Sequence, residues 1–524
     1  MIEINGSCGA SDPTAGSKTP DLTGINPNNS VFVLLSFEGP DAYSLAGGLG
    51  VRAVNLARAL ARQGFLTHFF FVGDPRLKGE DPVAGGKIIL HRWCQWISEY
   101  YPDGVYQGET GKLRDFSESI PRFVTEEIVK PAASQGKMVV VLAEEWHTAE
   151  AVCRLNERLS LEGLRNRVVM FWNANNTYGF DAVDWARLGA GATLTTVSRY
   201  MKHIMWGMGL NPLVIPNGIP SSLLRKVDSE AAGKMRAALD ADLVLFKMAR
   251  WHPDKGWTAA VDAVAQLKSS GLRPVLVARG GMEAYGAEVA QHARSVGLEV
   301  REAHADSASL DDHIIALHQA APADVIDVKF HVPPATSRVL YRASDGVLAN
   351  SWHEPFGLVG LEAMAAGGIT YTGCSGEDYA IPLVNSFVLE TDDPAEIITY
   401  VNYLRETPGE EERMRRRARR TARQFTWESA IQNLLGKLYN QAIIQGAVQN
   451  AAEPAEVPDL HMGATLAHLL RCRVPEVQQG APETTRGPSA PGPSVPGPSV
   501  PGPSVPGPSV PGRLVPLRSF LLHR

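Results

Sequence analysis

Short, unbroken apolar runs, each followed by a stretch with helical spacing, recur along this chain and limit what it can fold into. "VFVLLSF" (31–37) comes first. "VRAVNLARALARQG" follows, with Val51, Val54, Ala57, Leu60 and Ala61 at helical spacing and Gly64 as a stop signal, and then "THFFFVGD". A strand that is apolar at every position is buried on both faces, the condition of a parallel sheet covered by helices. The unit recurs in "MVVVLAEEWHTAEA", "RVVMFWNANN" and "TLTTVSRYMKHIM". A seam lies near 218–240, after "VIPNGIPSSLLRKVDSE". A second series then runs through "LVLFKMARWHPDKGWTAAVDAVAQL", "PVLVARGG", "DVKFHVPP" and "DGVLANSWHEPFG". Two such series predict an α/β protein of two Rossmann-like, doubly wound domains facing a cleft.

The expected organisation is a flexible segment over 1–28, a first α/β domain over 29–222 and a second over 223–408. Closing helices over 409–446 and a tail over 447–524 complete it. The tail repeats "GPSVP" every five residues, so it is not collagen, which needs glycine at every third position. Its proline content excludes helix and sheet, which predicts a disordered, polyproline-like appendage. A net charge of −6 over 524 residues excludes a generally basic nucleic-acid binder. Any anion site must therefore be built from locally placed cations. Cys8, Cys94, Cys153, Cys374 and Cys472 are scattered without a C-x-x-C pair, as in a reducing compartment. The start of the chain does not read as a secretory signal, and no apolar run reaches a membrane span, so the expected location is the cytoplasm. "AGSKTP" near the start lacks the full phosphate-loop spacing and a preceding strand.

Ligands in open α/β sheets sit beyond the carboxyl ends of the strands. The first strand runs into "EGPDAYSLAGGLG", whose Gly47, Gly48 and Gly50 open a helix. Such a loop lets backbone approach a ligand and offers unpaired N–H groups to an anion. Later strand ends carry "AEEWHT" with Glu144, Glu145 and His147, "NANN" with Asn175, and "TVSRY" with Ser198 and Arg199. In the second series "ARWHPDKG" sets Arg250 and Lys255 around a proline-containing turn, where both heads can address one diphosphate.

"HEPFGLVGLE" (353–362) places Glu354 and Glu362 eight positions apart across Pro355, Phe356 and Gly357. Pro355 suits a first helical turn, which predicts a helix start between Pro355 and Gly357. Glu354 then faces the cleft, the amides of Phe356, Gly357 and Leu358 are free, and Glu362 lies roughly 10 Å further along the axis. One acid can meet sugar hydroxyls and the other ribose hydroxyls, with phosphates between them.

"EPFGLVGLE" resembles the E-x7-E motif of retaining glycosyltransferases of the two-domain GT-B fold, family 4 (group 1) and the glycogen and starch synthases in particular. "GGLG", "IPNGI", "ARWHPDKG" and "FTWE" are similar to that family's motifs in the same order, so the resemblance covers about 31–440. It implies a catalytic and diphosphate-binding role for Arg250 and Lys255, sugar contact by Glu354, ribose contact by Glu362, and donor contacts from Gly48 and the amides of Phe356, Gly357 and Leu358. "AEEWHT" is similar to the H-D-W-H-T stretch of starch synthases, with Glu144 and Glu145 in place of the His-Asp pair and His147 matching the second histidine. Glu144, Glu145, His147 and Asn175 are thus candidate sugar or acceptor ligands.

The expected activity is transfer of a hexose, glucose first, from a nucleoside-diphosphate sugar to a hydroxyl of a glucan or small sugar, with retention and without a required cofactor or metal. A sugar phosphorylase of the same fold and a non-catalytic sugar-nucleotide or glycan binder are the alternatives. A dehydrogenase fits the fold alone, but "GGLG" lacks the dinucleotide fingerprint. Base, sugar, acceptor and oligomeric state are not legible in the sequence.

Overall fold

The computed structural model describes residues 24–447. Most of the expected N-terminal segment and the GPSVP tail lie outside the described residues. The first lobe holds β1 (Ser30–Leu35), β2 (Leu66–Val72), β3 (Glu80–Val83), β4 (Ile88–Trp93), β5 (Met138–Glu144), β6 (Val168–Ala174), β7 (Thr193–Thr196) and β8 (Leu213–Val214). They are ordered β3-β4-β2-β1-β5-β6-β7-β8, and only β3 with β4 is antiparallel. The second lobe holds β9 (Leu243–Met248), β10 (Pro274–Arg279), β11 (Val300–Ala303), β12 (Val325–Val328), β13 (Gly346–Ala349), β14 (Thr370–Thr372) and β15 (Phe387–Val388). Its order is β11-β12-β10-β9-β13-β14-β15, parallel throughout. This is the two-lobed, doubly wound α/β architecture expected from the strand pattern.

The unbroken apolar character of β1 has a direct cause. Val31, Val33 and Leu35 pack on one face with Phe116 and Ile120 of the helix Glu109–Phe123. Phe32 and Leu34 pack on the other with Ala53, Val54 and Leu60 of the helix Gly48–Arg62. Each fully buried side chain of this size stabilises the fold by about 1.5–3 kcal/mol, so neither face tolerates a polar residue. β1 sits between β2 and β5, and β9 sits between β10 and β13. Strand order therefore reverses at β1 and at β9, and the crevices at their carboxyl ends are where such sheets bind ligands.

Three local expectations are corrected. Residues 24–28 are not loose: Ile25 is buried, Gly24 packs against the Tyr439 ring, and Asn29 Nδ2 donates to the Gly24 carbonyl at 3.0 Å. The strand at "DVKFHVPP" ends at Val328, and Phe330 and Val332 enter the core from a loop. The closing helices also divide between lobes. Glu410–Ala422 packs on the second lobe, whereas Trp427–Ile444 returns to the first, where Trp427, Ile431, Leu434 and Leu438 join the cluster around Phe32.

The chain thus crosses between lobes twice, and the two crossings pair. Ile219 N donates to the Phe425 carbonyl at 2.9 Å, and Trp427 N donates to the Ile219 carbonyl at 3.1 Å. A Cβ on Gly218 would lie 2.4 Å from Trp427 N, so only glycine permits this approach.

Candidate active site

A cavity of about 920 Å³ opens between the lobes, lined by residues that follow β1, β5, β6, β9 and β13. Gly48, Glu145, His147, Asn175, Arg250, Lys255, Glu354, Phe356, Gly357 and Leu358 all line it. Glu144 and Glu362 do not.

The second-lobe wall is built from two bonded loops. After β9, Pro253–Lys255 forms a single 3-10 turn and Gly256, at φ 64°, leads into the helix Trp257–Ser269. Trp352 N donates to the Asp254 carbonyl at 2.9 Å, and Asn350 Nδ2 donates to the Gly256 carbonyl at 3.1 Å. The cationic turn is thereby tied to the loop after β13. Lys255 Nζ lies 3.0 Å from Glu354 Oε2 and 3.5 Å from Asp254 Oδ2. Its head serves Glu354 as well as the open cleft, while Arg250 remains exposed.

The helix carrying Glu362 begins at Leu358 rather than at Pro355–Gly357. Gly357 takes φ 51°, which ends the preceding loop, and a Cβ there would stand 2.7 Å from Glu377 Cγ. The first N–H groups of this helix have no intrahelical acceptor, and its first residues, Leu358, Val359 and Gly360, line the cavity. Phe356 is buried with Tyr379 and Phe425, so its ring belongs to the packing. Glu362 keeps part of its surface open, lies 3.5 Å from the Tyr341 hydroxyl, and has its carboxyl pushed up to about 7 by burial.

Sequence reasoning missed Lys247 and Glu377, both lining the cavity. Lys247 is buried at the end of β9, donates to Asn350 Oδ1 and to the Leu348 carbonyl, and is lowered to about 7 by burial and then by Lys255. A lysine inside the apolar run "LVLFKM" was the available signal. Glu377 is buried with neither carboxylate oxygen hydrogen-bonded. Burial, then the Glu354 charge, raises it to about 8. Nothing in the spacing of "SGEDYA" marks it.

The first-lobe wall differs from expectation in two places. Glu38 Oε2 accepts from the amides of Gly47 at 2.7 Å, Gly50 at 3.0 Å and Ala46 at 3.2 Å, and Tyr106 donates to Oε1 at 2.5 Å. Two of the three glycine amides that the sequence offers to a ligand anion, those of Gly47 and Gly50, are thus held by a carboxylate of the chain itself, while Gly48 lines the cavity. Glu144, expected as a sugar ligand, is turned into the protein. Arg52 Nε, Asn173 Nδ2 and Asn175 Nδ2 each donate to its Oε2 at 2.9 Å, and it is 2% exposed. Burial next to Arg52 makes it a structural partner of that cation.

Glu145 stays in the cavity wall, at φ 69° and ψ 165°, a conformation that non-glycine residues occupy only when their surroundings enforce it. Its Oε1 accepts from the amides of Asn175 at 2.7 Å and Asn176 at 3.2 Å, and burial raises the acid to about 8. His147 stacks on Phe37 at 4.5 Å, and its Nε2 lies 2.9 Å from Glu109 Oε1. Burial lowers it to about 3, so the ring is neutral, and Nδ1 has no partner among the described residues. Among those residues, no group of three or more His, Cys, Asp or Glu side chains is arranged to hold a metal ion. No helix there is long and apolar enough to cross a membrane.

Residues 234–421, most of the second lobe, match the family model of glycosyl transferases group 1. A D-inositol 3-phosphate glycosyltransferase of Acidothermus cellulolyticus is 28% identical over 246 residues, covering 44% of this chain and 48% of that protein. A protein of the same description from Salinispora tropica is 32% identical over 138 residues, covering 25% and 28%. The chain spans about half the length, or less, of these curated relatives. Sucrose-phosphate synthase from Thermosynechococcus elongatus superposes with a TM-score of 0.56 at 17% identity, over 79% of this chain and 99% of that one. The catalytic domain of starch synthase IV from Arabidopsis thaliana, bound to ADP and acarbose, gives 0.56 at 16% over 79% and 99%. Anabaena HepE in complex with UDP and glucose gives 0.51 at 16% over 79% and 100%. Similarity at this level carries the fold, which is GT-B.

Proposed function

We propose that this chain is a retaining glycosyltransferase that moves a hexose, glucose first, from a nucleoside-diphosphate sugar to an acceptor hydroxyl in the cytoplasm. The observation that carries the reading is convergence on one interlobe cavity. Arg250, Lys255 and the open amino end of the helix Leu358–Ala366 stand on one wall with Glu354, opposite a wall of acids and aromatic rings.

In this reading Arg250, Lys255 and the amides of Phe356, Gly357 and Leu358 hold the donor diphosphate. As the bond from the anomeric carbon to phosphate breaks, negative charge gathers on the leaving diphosphate and positive charge on the sugar. Preorganised donors of this kind contribute about 2.7–4 kcal/mol each to such a transition state. Glu354, bound to Lys255, orients the sugar hydroxyls. Glu362, two residues beyond the cavity-lining Gly360, is assigned the ribose diol from the motif. The leaving phosphate oxygen accepts the acceptor proton as the new bond forms on the same face. Lobe closure about the paired crossings at Ile219 and Trp427 would exclude water as a competing acceptor. The curated relatives are named for a phosphorylated inositol acceptor, whereas the present reading takes only the glycosyl transfer from them.

Calorimetric titration with UDP-, ADP- and GDP-hexoses, followed by NMR of the product anomer, tests this function. Micromolar binding of one donor and a product of retained configuration are expected. Turnover that needs inorganic phosphate instead of a nucleotide sugar points to a phosphorylase. An inverted product, or no donor binding at all, refutes the proposal.

A further inference from the structure

Charge is divided unequally across the cavity. Lys247, Arg250 and Lys255 all belong to the second lobe. Among the described cavity-lining residues of the first lobe, Arg52 is the one cation, and it is taken up by Glu144 and Asn217. That wall instead presents Glu38, Glu109 and Glu145.

Helix amino ends are the usual substitute for cations in holding a phosphate, and two on this wall already have a carboxylate of the chain beside them. At Gly48–Arg62, Glu38 accepts from the amides of Gly47 and Gly50. Glu109 is itself the first residue of Glu109–Phe123 and is bonded to His147. The remaining lining suits carbohydrate. Tyr106, Trp146 and Tyr178 are aromatic, and Trp146 and Tyr178 meet edge to face at 6.2 Å. Asn176 adds a side-chain amide, and His147, 4% exposed, has an Nδ1 without a partner among the described residues.

Resting on the glycosyltransferase reading above, we infer that the first-lobe half of this cavity selects an acceptor without an anionic group, an uncharged sugar or polyol, and rejects its phosphorylated form. Carboxylates accept hydroxyl hydrogen bonds and aromatic faces stack on the apolar side of a sugar ring. A phosphate there would face the carboxyl groups of Glu38 and Glu109, and Arg52, the one cation lining that wall among the described residues, is already bonded to Glu144 and Asn217.

The test compares matched acceptors, glucose against glucose 6-phosphate and myo-inositol against its monophosphate, with the donor found by calorimetry. At least tenfold higher kcat/KM for each uncharged member is expected, with donor hydrolysis serving as the acceptor-free control. Glu109→Lys should narrow or reverse that preference through acceptor KM while donor Kd, measured separately, stays within twofold. Glu109→Gln, isosteric with the native side chain, should narrow it less, which guards against a lysine variant that folds poorly. Equal or better use of the phosphorylated members by the wild type, or an unchanged preference ratio in both folded variants, overturns the inference and leaves the transferase reading standing. Absence of any nucleotide-sugar binding or hydrolysis removes that reading, and this inference falls with it.

Discussion

Replacing Lys255 by methionine removes one positive charge and keeps most of the stem. Nζ sits 3.0 Å from Glu354 and 3.5 Å from Asp254, and the side chain is 12% exposed. A charge-assisted hydrogen bond from this position to a diphosphate is worth about 1.5–3 kcal/mol, which corresponds to a roughly 10- to 150-fold rise in Kd. The ion pair with Glu354 is partly solvated, so its contribution to folding is about 1 kcal/mol at most, and the variant should stay folded. Lys255→Met is therefore expected to weaken the donor found by calorimetry and its free nucleoside diphosphate alike by isothermal titration. Glu354→Gln should behave differently. It leaves the cation free for phosphate, so the nucleoside diphosphate binds as well or better, while the preference for the nucleotide sugar over it shrinks and transfer falls. A change of less than twofold in nucleotide affinity for Lys255→Met, in protein with native circular dichroism, would refute the assignment of this lysine to the diphosphate.

Further predictions follow from the buried acids and glycines. Glu377 is raised to about 8 in the fold against roughly 4.3 for a free glutamate, so between those values the native state binds the extra proton and stability falls as pH rises. Glu377→Gln should flatten that loss, on the order of a few kcal/mol, and gain on wild type between pH 5 and pH 8.5 in thermal melts; parallel curves would count against it. Gly357→Ala meets both a left-handed φ and Glu377 Cγ at 2.7 Å, so a stability loss of about 1–3 kcal/mol and at least tenfold weaker donor binding are expected. Arg52→Ala strands the Glu144 carboxylate beside two neutral amides, at a cost of about 3–5 kcal/mol by urea denaturation. A cost below about 1 kcal/mol would show that the pair is not the buried unit described.

Legibility in the sequence followed the range of the interactions involved. The apolar runs of β1, β5, β6 and β9 announce themselves because burial on both faces is written into consecutive residues. Short strands such as β8, β14 and β15 carry too few residues to show a pattern. Arg250, Lys255, Glu354 and the start of the Leu358 helix could be brought to one cleft from strand ends alone, because the switch-point rule is local to each sheet. Glu144 could not be placed, because its partner Arg52 is 92 residues away and acts through burial. The same holds for Glu38 on the glycine loop, whose carboxylate reaches amides that the sequence leaves free, and for Glu377, whose neighbour Glu354 arrives from another loop.

The helix Trp427–Ile444 follows the second lobe along the chain, yet its apolar stripe roofs the cluster of Phe32, Leu34 and Leu60. A fragment cut at the seam near residue 222 would strip that roof from one half and leave the other trailing an orphaned amphipathic segment. Expressing the lobes separately, to study one substrate at a time, should yield two insoluble pieces unless residues 427–444 are grafted back onto the first.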